Sequence, residues 1–135
     1  MPFLNPPVLA IGLGLLAAAI LFLFLRRFLS PSGIVEVTPQ EAQARVKAGA
    51  QLIDVRQPAE YRTGHAPKAK LTPLSQLKRH AAEMPKGKPM VVICASGHRS
   101  VVAVDWLKRW GFEDVVSVRG GTAGWRAANL PVTKE

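Results

Sequence analysis

From Val8 to Leu25 the chain reads "VLAIGLGLLAAAILFLFL", apolar or small at every position, with no polar face. As a helix rising about 1.5 Å per residue this run would reach roughly 27 Å, close to the thickness of a bilayer's hydrocarbon core. Pro6 and Pro7 precede it, where prolines suit a helix start. Arg26 and Arg27 follow at once, and no Lys or Arg comes before the run. That asymmetry predicts a single membrane-spanning helix with a short N-terminus outside and the rest of the chain in the cytoplasm. A cleaved signal peptide would want a basic leading region and a shorter apolar core, and a buried core helix would want a polar face. The break "FLSPSG" (28–33) then separates an anchor and linker, residues 1–33, from a domain over 34–135.

Beyond the break the period changes. "IVEV" (34–37) is predicted as a short strand. "TPQEAQARVKAG" (38–49) reads as a helix capped by Thr38, with Pro39 at its first position, Glu41 completing a capping box and Gly49 as its stop. "QLIDV" (51–55) is an apolar strand ending in Asp54. "LTPLSQLKRHAAEM" (71–84) carries Leu74, Leu77, Ala81 and Met84 at helical spacing. "PKGKP" (85–89) turns the chain into the buried strand "MVVIC" (90–94). "SVVAVDWLKRWG" (100–111) is a helix ended by Gly111, "VVSV" (115–118) a further buried strand, and "TAGWRAA" (122–128) a last short helix. Strands alternating with helices predict an α/β fold, a mainly parallel central sheet with helices on both faces.

Composition alters this picture at two points. Eighteen Lys and Arg against nine Asp and Glu give a net charge of +9, which suits an anionic membrane surface or substrate. The basic residues are scattered and no nucleic-acid motif accompanies them, so nucleic acid is not an expected partner. A single cysteine excludes an intrachain disulfide.

That cysteine, Cys94, sits where a buried strand ends, and in open parallel sheets sites form beyond the carboxyl ends of strands. "ASGHR" follows, with Gly97 free to take conformations that other residues avoid. Such a loop feeding a helix can aim several backbone N–H groups and the positive end of the helix dipole at one spot, which favours a thiolate there. A strand-end cysteine is equally a small core residue. Small neighbours (Ala95, Ser96, Gly97) followed by Arg99 describe an open cradle better than core packing. Three separated histidines and one cysteine show no metal-ligand spacing.

Three stretches, "LIDVRQPAEYRTGHAP" (52–67), "CASGHRS" (94–100) and "GGTAGW" (120–125), together resemble the rhodanese-like domains, α/β sulfurtransferases, in family order over about Glu36 to Pro131. The resemblance implies that Cys94 takes the outer sulfur of a donor such as thiosulfate as a persulfide. It then hands that sulfur to cyanide, a thiol or a protein acceptor, with no metal or organic cofactor. The amides of Ala95, Ser96, Gly97, His98 and Arg99, leading into Ser100, would stabilise the anionic sulfur and the leaving sulfite. Arg99 either binds a substrate anion or makes an inward ion pair that fixes the loop, with Asp54 as its candidate partner. Asp54 and Arg56 resemble the family's strand-end Asp-x-Arg, and Arg56 is expected to pair with Glu60. His98 reads equally as a substrate contact and as a surface residue. His65 matches a position tied to loop structure, His80 a solvated helix face, and Trp125 a core position, while Trp106 and Trp110 lie four apart on one helix face.

One departure is local: in "GHAPKAK", Lys68 stands where the family commonly has glycine. Phosphatases of this fold use Cys-x5-Arg, whereas Cys94 to Arg99 is Cys-x4-Arg, a smaller cradle. Some rhodanese-like domains serve as binding or regulatory modules, and those often lack the cysteine that this chain retains.

Overall fold

A computed structural model of the chain describes residues 6–29 and 33–135. Half of the expected "FLSPSG" linker, Ser30 to Ser32, lies outside the described residues. Helix α1 spans Pro6–Leu29, longer at both ends than the apolar run itself. Within it Pro7–Leu25 is long and apolar enough to cross a bilayer. This helix and the α/β body from Ile34 to Glu135 are two separate compact units.

The body runs β1 (Glu36–Val37), α2 (Pro39–Lys47), β2 (Gln51–Asp54), α3 (Pro58–Arg62), β3 (Lys70–Leu71), a 3-10 turn (Leu74–Gln76), α4 (Leu77–Ala81), β4 (Met90–Ile93), α5 (His98–Arg109), β5 (Val115–Val118) and α6 (Gly121–Ala127). The five strands form one sheet in the order β1-β5-β4-β2-β3, every pair parallel. The architecture is the rhodanese-like three-layer α/β fold that the motifs imply.

Strand alternation sorts the core into two layers, because successive side chains leave opposite faces of a sheet. Ile53, Val55, Met90, Val92, Cys94 and Val115 pack with Leu77, Ala81, Val104 and Leu107 of α4 and α5. Leu52, Val91, Ile93, Val116 and Val118 pack with Ala42 of α2 and Trp125 of α6. Trp125 is thus a core residue, its indole N–H donating to the Pro131 carbonyl at 2.8 Å. Trp106 and Trp110 tilt together, ring centroids 6.0 Å apart, and with Leu74, Ser75 and Lys78 line a surface groove of about 330 Å³.

Three expectations need correction, and two elements are additional. The helix expected over 71–84 is only a 3-10 turn and five residues of α4, because Leu71 is drawn into β3 against Asp54 and Pro73 is extended. Its spacing still marks the buried face, since Leu77, Ala81 and Met84 are all in the core. Helix α3 and strand β3 carry no clear apolar period and were not expected. Helix α5 begins at His98, two residues earlier than expected, so His98 and Arg99 belong to its first turn and not to the loop. The capping box at α2 is half made: Thr38 Oγ1 accepts from the Glu41 N–H, but the Glu41 carboxylate takes Arg45 instead.

Lys68, standing where the family commonly has glycine, adopts φ +68°. A left-handed conformation costs a side-chain-bearing residue about 1–2 kcal/mol, against which glycine's greater freedom in the unfolded chain costs about 0.5–1 kcal/mol. Lys68→Gly is therefore expected to stabilise the fold by about 0.5–1 kcal/mol, read as a higher urea midpoint with an unchanged denaturant slope.

Candidate active site

Strand β4 is central, flanked by β2 and β5. The chain leaves β2 toward β3 on one side and leaves β4 through α5 toward β5 on the other. Neighbouring strands whose connections part in this way open a crevice at their carboxyl ends, where ligands of such sheets bind. Asp54, Arg56 and Glu60 reach it from the β2 side, and Cys94 to Ser100 from the β4 side.

Cys94 is the first residue past β4 and only 1% exposed. Its sulfur forms the floor of the loop and not the rim. The Gly97 N–H donates to Cys94 Sγ at 3.0 Å, and Ser100 Oγ lies 3.4 Å from the same atom. Gly97 caps α5 with φ +102°, a turn that glycine makes without steric cost. The loop is held from behind by α6. The Thr122 N–H and hydroxyl both donate to the Cys94 carbonyl, at 2.7 and 3.0 Å, and the Ala123 N–H donates to the Ala95 carbonyl at 3.1 Å. Gly121 is required at this seam: a Cβ there would overlap the Cys94 carbonyl and come within 2.7 Å of Ala95 C and Ser96 N. With the Cys94 and Ala95 carbonyls turned back to α6, the Gly97 N–H faces the sulfur. Ser96 and His98 stand exposed at the mouth, Ser96 Oγ 3.2 Å from His98 Nδ1.

The ion pairs exchange partners relative to expectation. Arg99 pairs with Glu60 in two parallel bonds, 2.8 and 2.7 Å, and not with Asp54. Arg56 pairs with Asp54 and not with the Glu60 carboxylate: Nε to Oδ1 is 3.0 Å and Nη2 to Oδ2 2.8 Å. Asp54 and Arg56 are two apart at a strand end, which puts both side chains on one face. Arg56 meets Glu60 only at its backbone carbonyl, at 3.2 Å, and also donates to the Gly64 carbonyl at 2.8 Å. Glu60 reaches back to the Gln57 N–H at 2.8 Å, so its carboxylate caps α3 while it holds Arg99 across the crevice. Arg99, helped by that N–H, pulls the Glu60 carboxyl down to about 2. In return the Glu60 carboxylate raises Arg99 above its ordinary value.

His65 is buried away from the thiol, its Nδ1 2.9 Å from the Tyr61 carbonyl and its Nε2 2.6 Å from the Glu135 carbonyl. Its ring stacks on Tyr61 at 3.5 Å, and its backbone bridges Thr133. His80 is half-buried on α4. Two residues of the site were not anticipated. Thr122 lies inside the "GGTAGW" motif, but its grip on the Cys94 carbonyl depends on the docking of α6. Ser117 bonds Ser100 at 2.7 Å, and its only sign in the sequence is one hydroxyl inside the apolar run "VVSV".

The rhodanese-like domain model matches residues 38–128. A thiosulfate sulfurtransferase GlpE of Pseudomonas syringae is 37% identical over 90 residues, 67% of this chain and 85% of that protein. A crystal structure of a rhodanese-related protein from Thermoplasma volcanium superposes with a TM-score of 0.70 at 31% identity, covering 75% of this chain and 99% of that one. A Rhodopseudomonas palustris protein of unknown function, described as a possible tyrosine phosphatase, gives 0.68 at 28% identity over 76% of this chain and 86% of its own.

The lowered Glu60 pKa fixes the sign of a pH effect. A carboxyl ionising more readily folded than unfolded adds stability that is complete above its ordinary value of 4.5 and lost as pH falls toward about 2. Solvent screening of this half-exposed pair holds the contribution to about 1 kcal/mol or less. Wild type should therefore exceed Glu60→Gln in urea midpoint at neutral pH. The gap should narrow from about pH 4.5 downward and close near pH 2; an undiminished gap there would contradict the Arg99 pairing.

Proposed function

The chain belongs to the rhodanese-like domain family, and from that premise we propose that it is a sulfurtransferase that carries sulfane sulfur on Cys94. The observation that supports this best is the Gly97 N–H held 3.0 Å from Cys94 Sγ in a loop whose Cys94 and Ala95 carbonyls are tied to α6. A sulfur anion formed there meets the Gly97 N–H and the start of a twelve-residue helix, both favouring negative charge.

Cys94 loses its proton to solvent base, and the thiolate attacks the outer sulfur of a donor such as thiosulfate. The S–S bond of the donor breaks and sulfite departs with the bonding pair, leaving a persulfide on Cys94. An acceptor (cyanide, a thiol or a protein thiol) then attacks the outer persulfide sulfur and the Cys94 thiolate leaves, restoring the site. The amides of the loop and of the first turn of α5, from Ala95 to Arg99, stabilise each sulfur anion in turn, and no cofactor enters the scheme. Arg99, with both Nη atoms on Glu60, acts in this reading as a brace for the start of α5. Ser96 and His98 at the mouth meet the donor or acceptor. Asp54, Arg56 and His65 shape the walls, and the net charge of +9 draws an anionic donor inward. Arg99 so committed, and the shorter Cys-x4-Arg loop, both weigh against phosphate hydrolysis.

Incubated with thiosulfate near neutral pH and low salt, the full chain in detergent should gain about 32 Da, one sulfur atom, that dithiothreitol removes. Cys94→Ser should gain nothing. A wild type that stays unmodified while sulfur donors are varied would favour a binding or regulatory module instead.

For residues 1–33 we propose a single-pass anchor and linker, with lipid around residues 8–25 and the domain of residues 34–135 in the cytoplasm, on the strength of Arg26 and Arg27. A fluorescent reporter that matures only in the cytoplasm, fused after Glu135, should glow in the membrane fraction, and the purified chain should keep the mass of residues 1–33. A dark fusion would reverse the orientation, and loss of that mass would identify a cleaved signal sequence.

A further inference from the structure

Behind the sulfur lies a short buried track of hydroxyls. Ser100 on α5 and Ser117 on β5 are both 0% exposed. Ser117 shares the parity of Val115, the face that packs against α5, and is in register with Val92, two residues before Cys94. The two oxygens are 2.7 Å apart, and Ser100 Oγ is also 3.2 Å from the Gly97 carbonyl and 3.4 Å from Cys94 Sγ.

Counting hydrogens orients the track. A hydroxyl donates one hydrogen and accepts two. Among the described residues Ser100 is the hydrogen-bond partner of the Ser117 hydroxyl, so a Ser117 that accepted from Ser100 would bury an unsatisfied hydrogen. Ser117 therefore donates. In the thiol form Ser100 accepts from Ser117 and from the Cys94 S–H, and its own hydrogen goes to the Gly97 carbonyl, which fills its whole capacity. When the thiol proton leaves to solvent base, that hydrogen can swing from the Gly97 carbonyl to the sulfur anion. The Gly97 carbonyl is not stranded, because the Val101 N–H also reaches it at 3.4 Å.

We propose that Ser117 is a positioning residue: by donating to Ser100 it fixes the Ser100 oxygen beside the sulfur and polarises its hydroxyl, so that the thiolate gains a stronger second donor beside the Gly97 N–H. Its role in catalysis rests on the sulfur-carrying reading of Cys94. The other charges near the thiol are settled elsewhere, Arg99 on Glu60 and Arg56 on Asp54, while His98 is exposed at the loop mouth. None of these touches Ser117.

The test is the alkylation rate of Cys94, the single thiol of the chain, with iodoacetamide on the full-length protein in detergent. Ser117→Ala should react about three-fold more slowly than wild type at about pH 7 and equally fast at about pH 10, where a thiol ionises without help. Ser117→Thr and Ser117→Val, alike in shape but differing in the hydroxyl, should divide the same way, with Thr the faster at about pH 7. This pair decides the matter should the alanine variant fail to fold. Equal rates with and without the hydroxyl at about pH 7 would overturn the proposal, as would an equal slowing at both pH values, which marks a merely distorted loop. Because alkylation needs no sulfur donor, a wild type that takes no sulfur from thiosulfate would sink the transfer reading and leave this comparison standing.

Discussion

Two backbone carbonyls, those of Cys94 and Ala95, decide which way the loop after the central strand faces. Each peptide unit in a tight turn presents its C=O and N–H to opposite sides, so a loop cannot offer amides to a ligand until something else takes its carbonyls. Here the first turn of α6 takes them, with Thr122 and Ala123 as donors and Gly121 leaving the space. The Gly97 N–H then meets the sulfur, and α5 starts with its positive end beside it. Without that backing the same residues would form an ordinary connection between a strand and a helix.

The electrostatics of the crevice follow from sharing two arginines between two carboxylates without leaving either exposed to the wrong partner. Asp54 is wholly buried and Arg56 nearly so, and each is also held by backbone groups. A buried pair of this kind costs desolvation and is retained for placement more than for stability. It props the chain between β2 and α3, which in turn carries Glu60 to the other wall. Glu60 then ties the α5 start to the α3 start, so the two sides of the crevice are joined by one bidentate bond.

Much of this was legible in the residues. The apolar strands expected over 51–55, 90–94 and 115–118, the stop at Gly49 and the end of α5 at Gly111 follow from runs and breakers that act locally, and the structure keeps them, with the first two strands one residue shorter. Cys94 was legible as a strand-end residue because strand ends are set by the same runs. Arginine partners were not: Arg56 and Arg99 are alike in charge and reach, and only the packing of α3 beside α5 decides which of them meets Glu60. Helix α3, five residues beginning at Pro58, and β3, two residues long, are too short for any period to show and exist through tertiary contacts. Thr122 and Ser117 lay in plain view, yet a hydroxyl gives no hint of its partner until distant segments meet.

The backing by α6 also orders events during synthesis. Cys94 leaves the ribosome well before Gly121 and Thr122 do, an interval on the order of seconds at roughly 5–20 residues per second. Through that interval the thiol has neither its fixed loop nor the helix behind it, and it is chemically an ordinary cysteine in an unfinished chain. The apolar N-terminal helix, made first, has emerged long before. The cradle around Cys94 is thus closed only once α6 has been made, a form of timing that needs no regulator because it is written into the order of the elements.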